Sequence, residues 1–275
     1  LAVLDMDMGN YTTVQERLIQ ALEMYRARDH QIGIANAVTR LGNLAWDQDR
    51  FTDSYKYHLE SLAIYQKLDM PLNAALESLG VGDSERMLGH FDSARHYYEE
   101  SLRAAHSIGH RGLVGASLKS LGLLASKQQK YEQAREYGLE ALHIFRELGD
   151  RVHTAFSLAQ LGKVAFKCGE YSQSLTYNQE CLQIMYEVGY KWPTFYALED
   201  IAEILAGADQ HTEVAVRCLG AANTLRQETG LAVAPEHREM HERMTSTLRQ
   251  KVGDLPFTTL WQEGEATPLA QIIAE

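Results

Sequence analysis

Two pairs of histidines, His106 with His110 and His237 with His241, stand four residues apart, a spacing at which one helix face could hold a metal ion. A hydrolytic zinc helix places Glu directly after its first histidine, whereas Arg238 follows His237 and Glu239 comes next. Solvated helix histidines are therefore the expectation, with a metal-dependent hydrolase as the remote alternative. Phosphate chemistry finds less support. The only Gly-Lys step, Gly162-Lys163, is followed by Val164, and Ser157 stands where a P-loop needs its first Gly. Gly80-Val81-Gly82 begins like a dinucleotide fingerprint, but Glu85 replaces the last Gly and no strand precedes it. No Gly-x-Ser-x-Gly elbow occurs, so a nucleophilic triad has no support. No catalytic residue, metal or cofactor is expected.

Charge points elsewhere. The chain carries 37 acidic and 26 basic side chains, a formal net charge of −11, whose field opposes a phosphate-covered partner. Against that background Lys119, Lys127, Lys163 and Lys167 gather near Phe156 and Phe166, a combination suited to a carboxylate-bearing peptide with an apolar anchor. The bland alternative is a solvated helix face. Cys168, Cys181 and Cys218 are an odd set without paired spacing, as expected of reduced thiols in a cytoplasmic protein. No apolar run approaches the roughly 18 residues that span a bilayer.

The elements that must position these groups repeat. Tyr11, Phe51, Phe91, Tyr131 and Tyr171 recur every forty residues, with His211 in the sixth place, and a period of this length means a helical solenoid. Each unit reads as two helices. The first carries an apolar residue and then a small one, as in Leu1-Ala2, Leu41-Gly42, Val81-Gly82, Leu121-Gly122, Leu161-Gly162 and Ile201-Ala202. Gly in a helix costs about 1 kcal/mol relative to Ala, so this column requires close approach of a neighbouring helix. Thr12, Thr52, Asp92, Ser172 and Thr212 follow the aromatic slot and suit N-caps for the second helix. Leu22, Leu62, Leu102, Leu142 and Leu182 mark its buried face, and Asp29, Asp69, Gly109, Gly149 and Gly189 its end. Cys181 falls in a column of Ala and Ser and is expected to pack as a small residue. Ser84 and Glu85 occupy columns apolar elsewhere, and the extra Leu79-Gly80 pair predicts a local shift of helix register there.

These columns resemble the tetratricopeptide repeat family. The resemblance implies an all-α, right-handed solenoid of antiparallel helix pairs over 1–230: a half repeat 1–30, then 31–70, 71–110, 111–150, 151–190 and 191–230. Residues 231–275 are expected to be capping helices. Units of forty rather than about 34 residues, without the family's proline after the second helix, imply extended helices. In such an array the first helices line the concave wall. The columns they would present hold Asn43, Trp46, Asp47, Asp83, Arg86, Lys119, Lys127, Phe156, Lys163, Phe166, Lys167, Tyr196, Glu199 and Glu203.

The tail is more distinctive. Cys218-Leu219-Gly220-Ala221-Ala222, Leu225-Arg226, Gly230, Leu248-Arg249, Gly253, Phe257, Trp261 and Glu263-Gly264 resemble the C-terminus of bacterial STAND ATPases, in which tetratricopeptide repeats follow an NB-ARC-like module. Many members carry an N-terminal DNA-binding or other output domain. The resemblance implies a non-catalytic sensor region in a cytoplasmic transcription regulator. Its expected partners are a protein or peptide with acidic groups and the rest of a longer parent chain, with no direct nucleic-acid or membrane contact. The alternative within this fold is a receptor for a small signalling peptide in a stand-alone regulator.

Overall fold

A left-handed residue punctuates the chain every twenty positions: Asp29, Asp49, Asp69, Gly89, Gly109, Gln129, Gly149, Gly169 and Gly189 all have φ between 51° and 82°. Around Asp29 its own N–H reaches Arg26 O and the His30 N–H reaches Tyr25 O, the two bonds of a Schellman turn. The His30 carbonyl then accepts from Ile34 N, so one residue closes a helix and opens the next. The same pairing recurs at Asp49-Arg50, Gly89-His90, Gln129-Lys130, Gly149-Asp150 and Gly169-Glu170. The left-handed ends expected at Asp29, Asp69, Gly109, Gly149 and Gly189 are present, and the intervening turns use the same device.

The computed structural model describes residues 11–208, 211–230 and 235–274. Within them lie fourteen helices. Ten have 17 residues each: α1 (Tyr11–Ala27), α2 (Gln31–Asp47), α3 (Phe51–Lys67), α4 (Pro71–Met87), α5 (Phe91–Ser107), α6 (Arg111–Lys127), α7 (Tyr131–Glu147), α8 (Arg151–Lys167), α9 (Tyr171–Glu187) and α10 (Lys191–Gly207). They are followed by α11 (Thr212–Thr229), α12 (Pro235–Val252), α13 (Asp254–Ala266) and α14 (Leu269–Ala274). The pair Leu1-Ala2 lies outside the described residues. None of these helices is long and apolar enough to cross a membrane.

Two sequence expectations are corrected. The N-cap column is two places too late at α3, α5 and α9: they begin at the aromatic itself, and Arg50, His90 and Glu170 are the capping residues, without a side-chain cap. The linker leaves no room for a separate cap, because the residue after the left-handed one already serves. Side-chain caps occur at the alternate turns, where His30 Nδ1 accepts from Gly33 N, His110 Nδ1 from Leu113 N and Asp150 Oδ1 from His153 N. His110 is therefore an exposed cap residue and not one inside a helix. The register shift near Leu79-Gly80 is also absent: α4 starts and stops in phase with its neighbours, and Ser84 and Glu85 are buried in place.

The chain forms two compact units, one up to Gln133 and one from Ala134. In the first, α1 to α5 pack in sequence, α5 on α6, and α2, α4 and α6 also touch. Its N-terminal core joins Leu22, Ile34, Val38 and Leu41. In the second, α8 to α11 pack in sequence, and Leu158, Leu161, Leu182, Met185, Phe195 and Leu198 anchor the interior with Cys181 and Cys218. Here the tail folds back: α13 lies along α11, α12 bridges α10, α11 and α13, and α14 touches α9 and α11.

Candidate functional site

The small-residue column makes room for side chains rather than for backbone. A Cβ on Gly42 would stand 2.8 Å from His58 Nε2, and one on Gly80 2.7 Å from His58 Nδ1, so the imidazole is sandwiched between α2 and α4. A Cβ on Gly82 would lie 2.6 Å from the Tyr98 ring, and one on Gly162 would overlap the Asn178 amide. The second Gly of Leu79-Gly80 is thus the mate of His58. The buried imidazole donates Nδ1–H to Glu77 Oε2 at 2.9 Å, while Thr39 Oγ1 donates to Glu77 Oε1 at 2.8 Å and meets Ser61 Oγ at 2.8 Å. Ser84 donates to Gly80 O and Ser54, and Glu85 pairs with His90 Nδ1 at 2.5 Å. Glu77, Ser84 and Glu85 in α4 are therefore satisfied, as most buried polar groups are.

On the first unit's expected groove columns, Asn43 is exposed and Trp46 is half-buried with its ring edge-on to Phe51, 5.2 Å between centroids. Desolvation raises the Asp47 carboxyl above the usual aspartate range. Arg86 is mostly covered: its Nε donates to the Tyr98 hydroxyl at 3.2 Å, and its Nη2 lies 3.5 Å from Asp83 Oδ1. The Tyr98 hydroxyl donates to the same Asp83 oxygen at 2.7 Å, and burial together with the Asp83 charge pushes that phenol far up. Arg86 is therefore a held strut more than a free ligand group. Lys119 is half-buried and Lys127 exposed.

In the second unit, Phe156, Phe166 and Tyr196 are half-buried, and Lys163 and Lys167 exposed. Phe166 stands edge-on to Tyr171 at 5.7 Å, repeating the Trp46–Phe51 arrangement, so the aromatic slot braces the ring five positions before it. Lys167 Nζ lies 5.6 Å over the Phe166 ring, and Lys163 Nζ is 3.5 Å from Asp200. Burial, then the Asp200 charge, raises the Glu203 carboxyl, with Lys167 and Lys163 opposing. Glu199 is corrected as a groove residue: it is buried, accepting from Arg226 Nε at 3.0 Å and Nη2 at 2.7 Å, with His241 Nε2 at 3.8 Å. The Arg226 guanidinium also stacks 4.2 Å over Phe195 and 5.2 Å from Tyr196. Burial pushes the Cys181 thiol up to about 12, which keeps this packed thiol protonated.

The tail residues are packing parts. A Cβ on Gly264 would stand 2.8 Å from Arg217 Cα, and one on Gly220 3.2 Å from Gly264 Cα, so α11 and α13 cross backbone against backbone. Asn223 and Trp261 both donate to Glu265 Oε1 at 2.8 Å across and beside that crossing. The His237 side chain lies outside the described residues, and among those described no group of three or more His, Cys, Asp or Glu could hold a metal.

A family model described as tetratricopeptide repeat matches residues 33–107, 72–147 and 113–187, together more than half the chain. The chain belongs to the tetratricopeptide repeat family. It is an all-α tetratricopeptide solenoid with a helical C-terminal cap, a scaffold for binding proteins or peptides. Among solved structures, a Rap protein complexed with competence and sporulation factor is 14% identical with a TM-score of 0.74, covering 99% of this chain and 74% of its own. BtubC from P. vanneervenii is 17% identical with a TM-score of 0.66, over 80% and 93%. A STAND protein with a tetratricopeptide repeat sensor from Pyrococcus horikoshii is 18% identical with a TM-score of 0.62. The array covers 94% of itself but 37% of that protein's length. These are likenesses of fold. No curated protein sequence matches this chain.

Proposed function

We propose that this array is the non-catalytic sensor arm of a larger bacterial signal-transduction ATPase or transcription regulator, acting in the cytoplasm by capturing a protein or peptide. The observation that carries the binding reading is in the second unit, where Phe156, Phe166 and Tyr196 are half-buried and Lys163 and Lys167 exposed on the touching helices α8 and α10. Aromatic anchors with cationic neighbours suit a peptide carrying an apolar side chain and a carboxylate. A ligand carboxylate would take Lys163 from Asp200 and share Lys167 with Phe166. In the first unit Asn43, Trp46, Asp47, Lys119 and Lys127 carry mixed charge on the expected groove columns, with Arg86 held behind them by Asp83 and Tyr98. The parent chain is a further partner, and the tail with Trp261 and Glu263-Gly264 supports the ATPase context.

Replacing Lys163 and Lys167 with Glu and Phe166 with Ala should weaken capture of a bound partner at least tenfold, with helicity by circular dichroism unchanged. Unaltered capture would remove the second unit's face from the proposal. A second reading, a stand-alone receptor for a signalling peptide, draws on the likeness to the Rap complex. The parent gene separates them: an ATPase module encoded ahead of Leu1 supports the sensor arm, and its absence supports the receptor.

A further inference from the structure

Three helices of the second unit send basic side chains to one acidic strip, Glu199, Asp200 and Glu203 of α10. From α8, Lys163 Nζ lies 3.5 Å from Asp200 Oδ2. From α11, Arg226 Nη2 lies 2.7 Å from Glu199 Oε2, and from the tail helix α12, His241 Nε2 lies 3.8 Å from Glu199 Oε1. Half-buried Glu203 stands one turn past Glu199 and feels charge from both sides of the strip. Burial and then Asp200 push its carboxyl up, while Lys167 and Lys163 of α8 and Arg243 of α12 pull it down. Carboxylates that are partly withdrawn from water and crowded by like charge gain from every cation in reach. The lysines of α8 and Arg243 of α12 therefore compete for the same groups.

The tail helix is the lightly held party. Among the described residues of α12 the buried ones are Met244 and Leu248, whereas α8 buries Leu158, Leu161 and Val164 along with six others. Further ties from α12 to α10 are polar: beside His241 and Arg243, Lys251 Nζ donates to Ala206 O at 3.0 Å. A helix with few buried side chains opens before the interior helices do. Its docking is thus an equilibrium that a change of charge on α10 can bias, which is what coupling between two sites requires.

We propose that this acidic strip links ligand capture to the tail: a ligand carboxylate that draws Lys163 and Lys167 toward itself leaves Asp200 and Glu203 to Arg243, and α12 docks more tightly on α10. Glu203 is the exchange point, because α8 and α12 both act on it, whereas Glu199 is already held by two nitrogens of Arg226. The link rests on the proposed capture at Lys163 and Lys167 and adds its regulation. Binding at one wall of the unit would thereby be read at its C-terminal cap.

The test uses the full chain without ligand, so it is independent of the capture assay. Lys163→Gln with Lys167→Gln imitates lysines that have been drawn off. By hydrogen exchange and mass spectrometry, amides of 238–252 should exchange roughly threefold more slowly in that variant, the scale of an exposed ion pair, with α9 amides unchanged as the reference for an intact fold. Lys163→Arg with Lys167→Arg keeps the charge and should exchange as the unaltered chain does. Glu203→Gln should loosen the tail, and adding it to the Gln pair should remove the slowing. Equal or faster tail exchange in the Gln pair, or undiminished slowing on the Glu203→Gln background, would overturn the link. Tail exchange behaving as stated while the same lysine changes leave partner capture unaltered would sink the ligand face and leave the charge link standing.

Discussion

Removing the Arg226 guanidinium strands the Glu199 carboxylate in a site that water barely reaches, with His241 Nε2 at 3.8 Å beside it. Breaking a buried pair from one side is far costlier than replacing both partners. Arg226→Met should therefore lower unfolding stability by about 3–5 kcal/mol, and Glu199→Met with Arg226→Met should recover most of it, read from urea titrations of both variants. Sequence columns place Glu199 on the groove because they count positions along one helix; its partner sits 27 residues on, in another helix. The surface positions of Lys163 and Lys167 and the partial burial of Phe156, Phe166 and Tyr196 were legible because both follow from helical phase alone. His58 and Glu77 were missed, although paired glycines at 42 and 80 were a signal for the ring between them.

At the scale of elements, α11 and α13 approach so closely that only glycine fits at their crossing. Gly264→Val should push α13 away from Arg217 and cost about 1–3 kcal/mol, the usual result of forcing extra side-chain carbons into filled space. Hydrogen exchange checks it: amides of 254–266 should lose protection while those of α8 and α9 keep theirs. Helix number and phase were readable because apolar columns recur every forty residues. The helix starts were not, because the turn satisfies its own backbone groups and so places no demand on the residue after the aromatic. Likewise Asp49, Gly89, Gln129 and Gly169 share a left-handed backbone but no common side chain, leaving little for a column to show.

Within each unit, repeat helices touch sequence neighbours and next neighbours, with the returning tail as the exception. Stability in such a chain is a sum of local terms, and unfolding need not be a single step. Single-tryptophan variants keeping Trp46 in the first unit or Trp261 in the tail should give different urea midpoints by fluorescence, with the ellipticity transition spanning both. Coincident midpoints would show a single cooperative block. The left-handed turns carry one more consequence. Because the same turn recurs every twenty residues, a deletion from Gly149 to Gly169 would rejoin matching backbone, yet it would reverse the direction of every helix that follows. A deletion from Gly149 to Gly189 removes an up and a down stroke together and preserves direction. The array's length is therefore quantised in forties even though its punctuation is written in twenties.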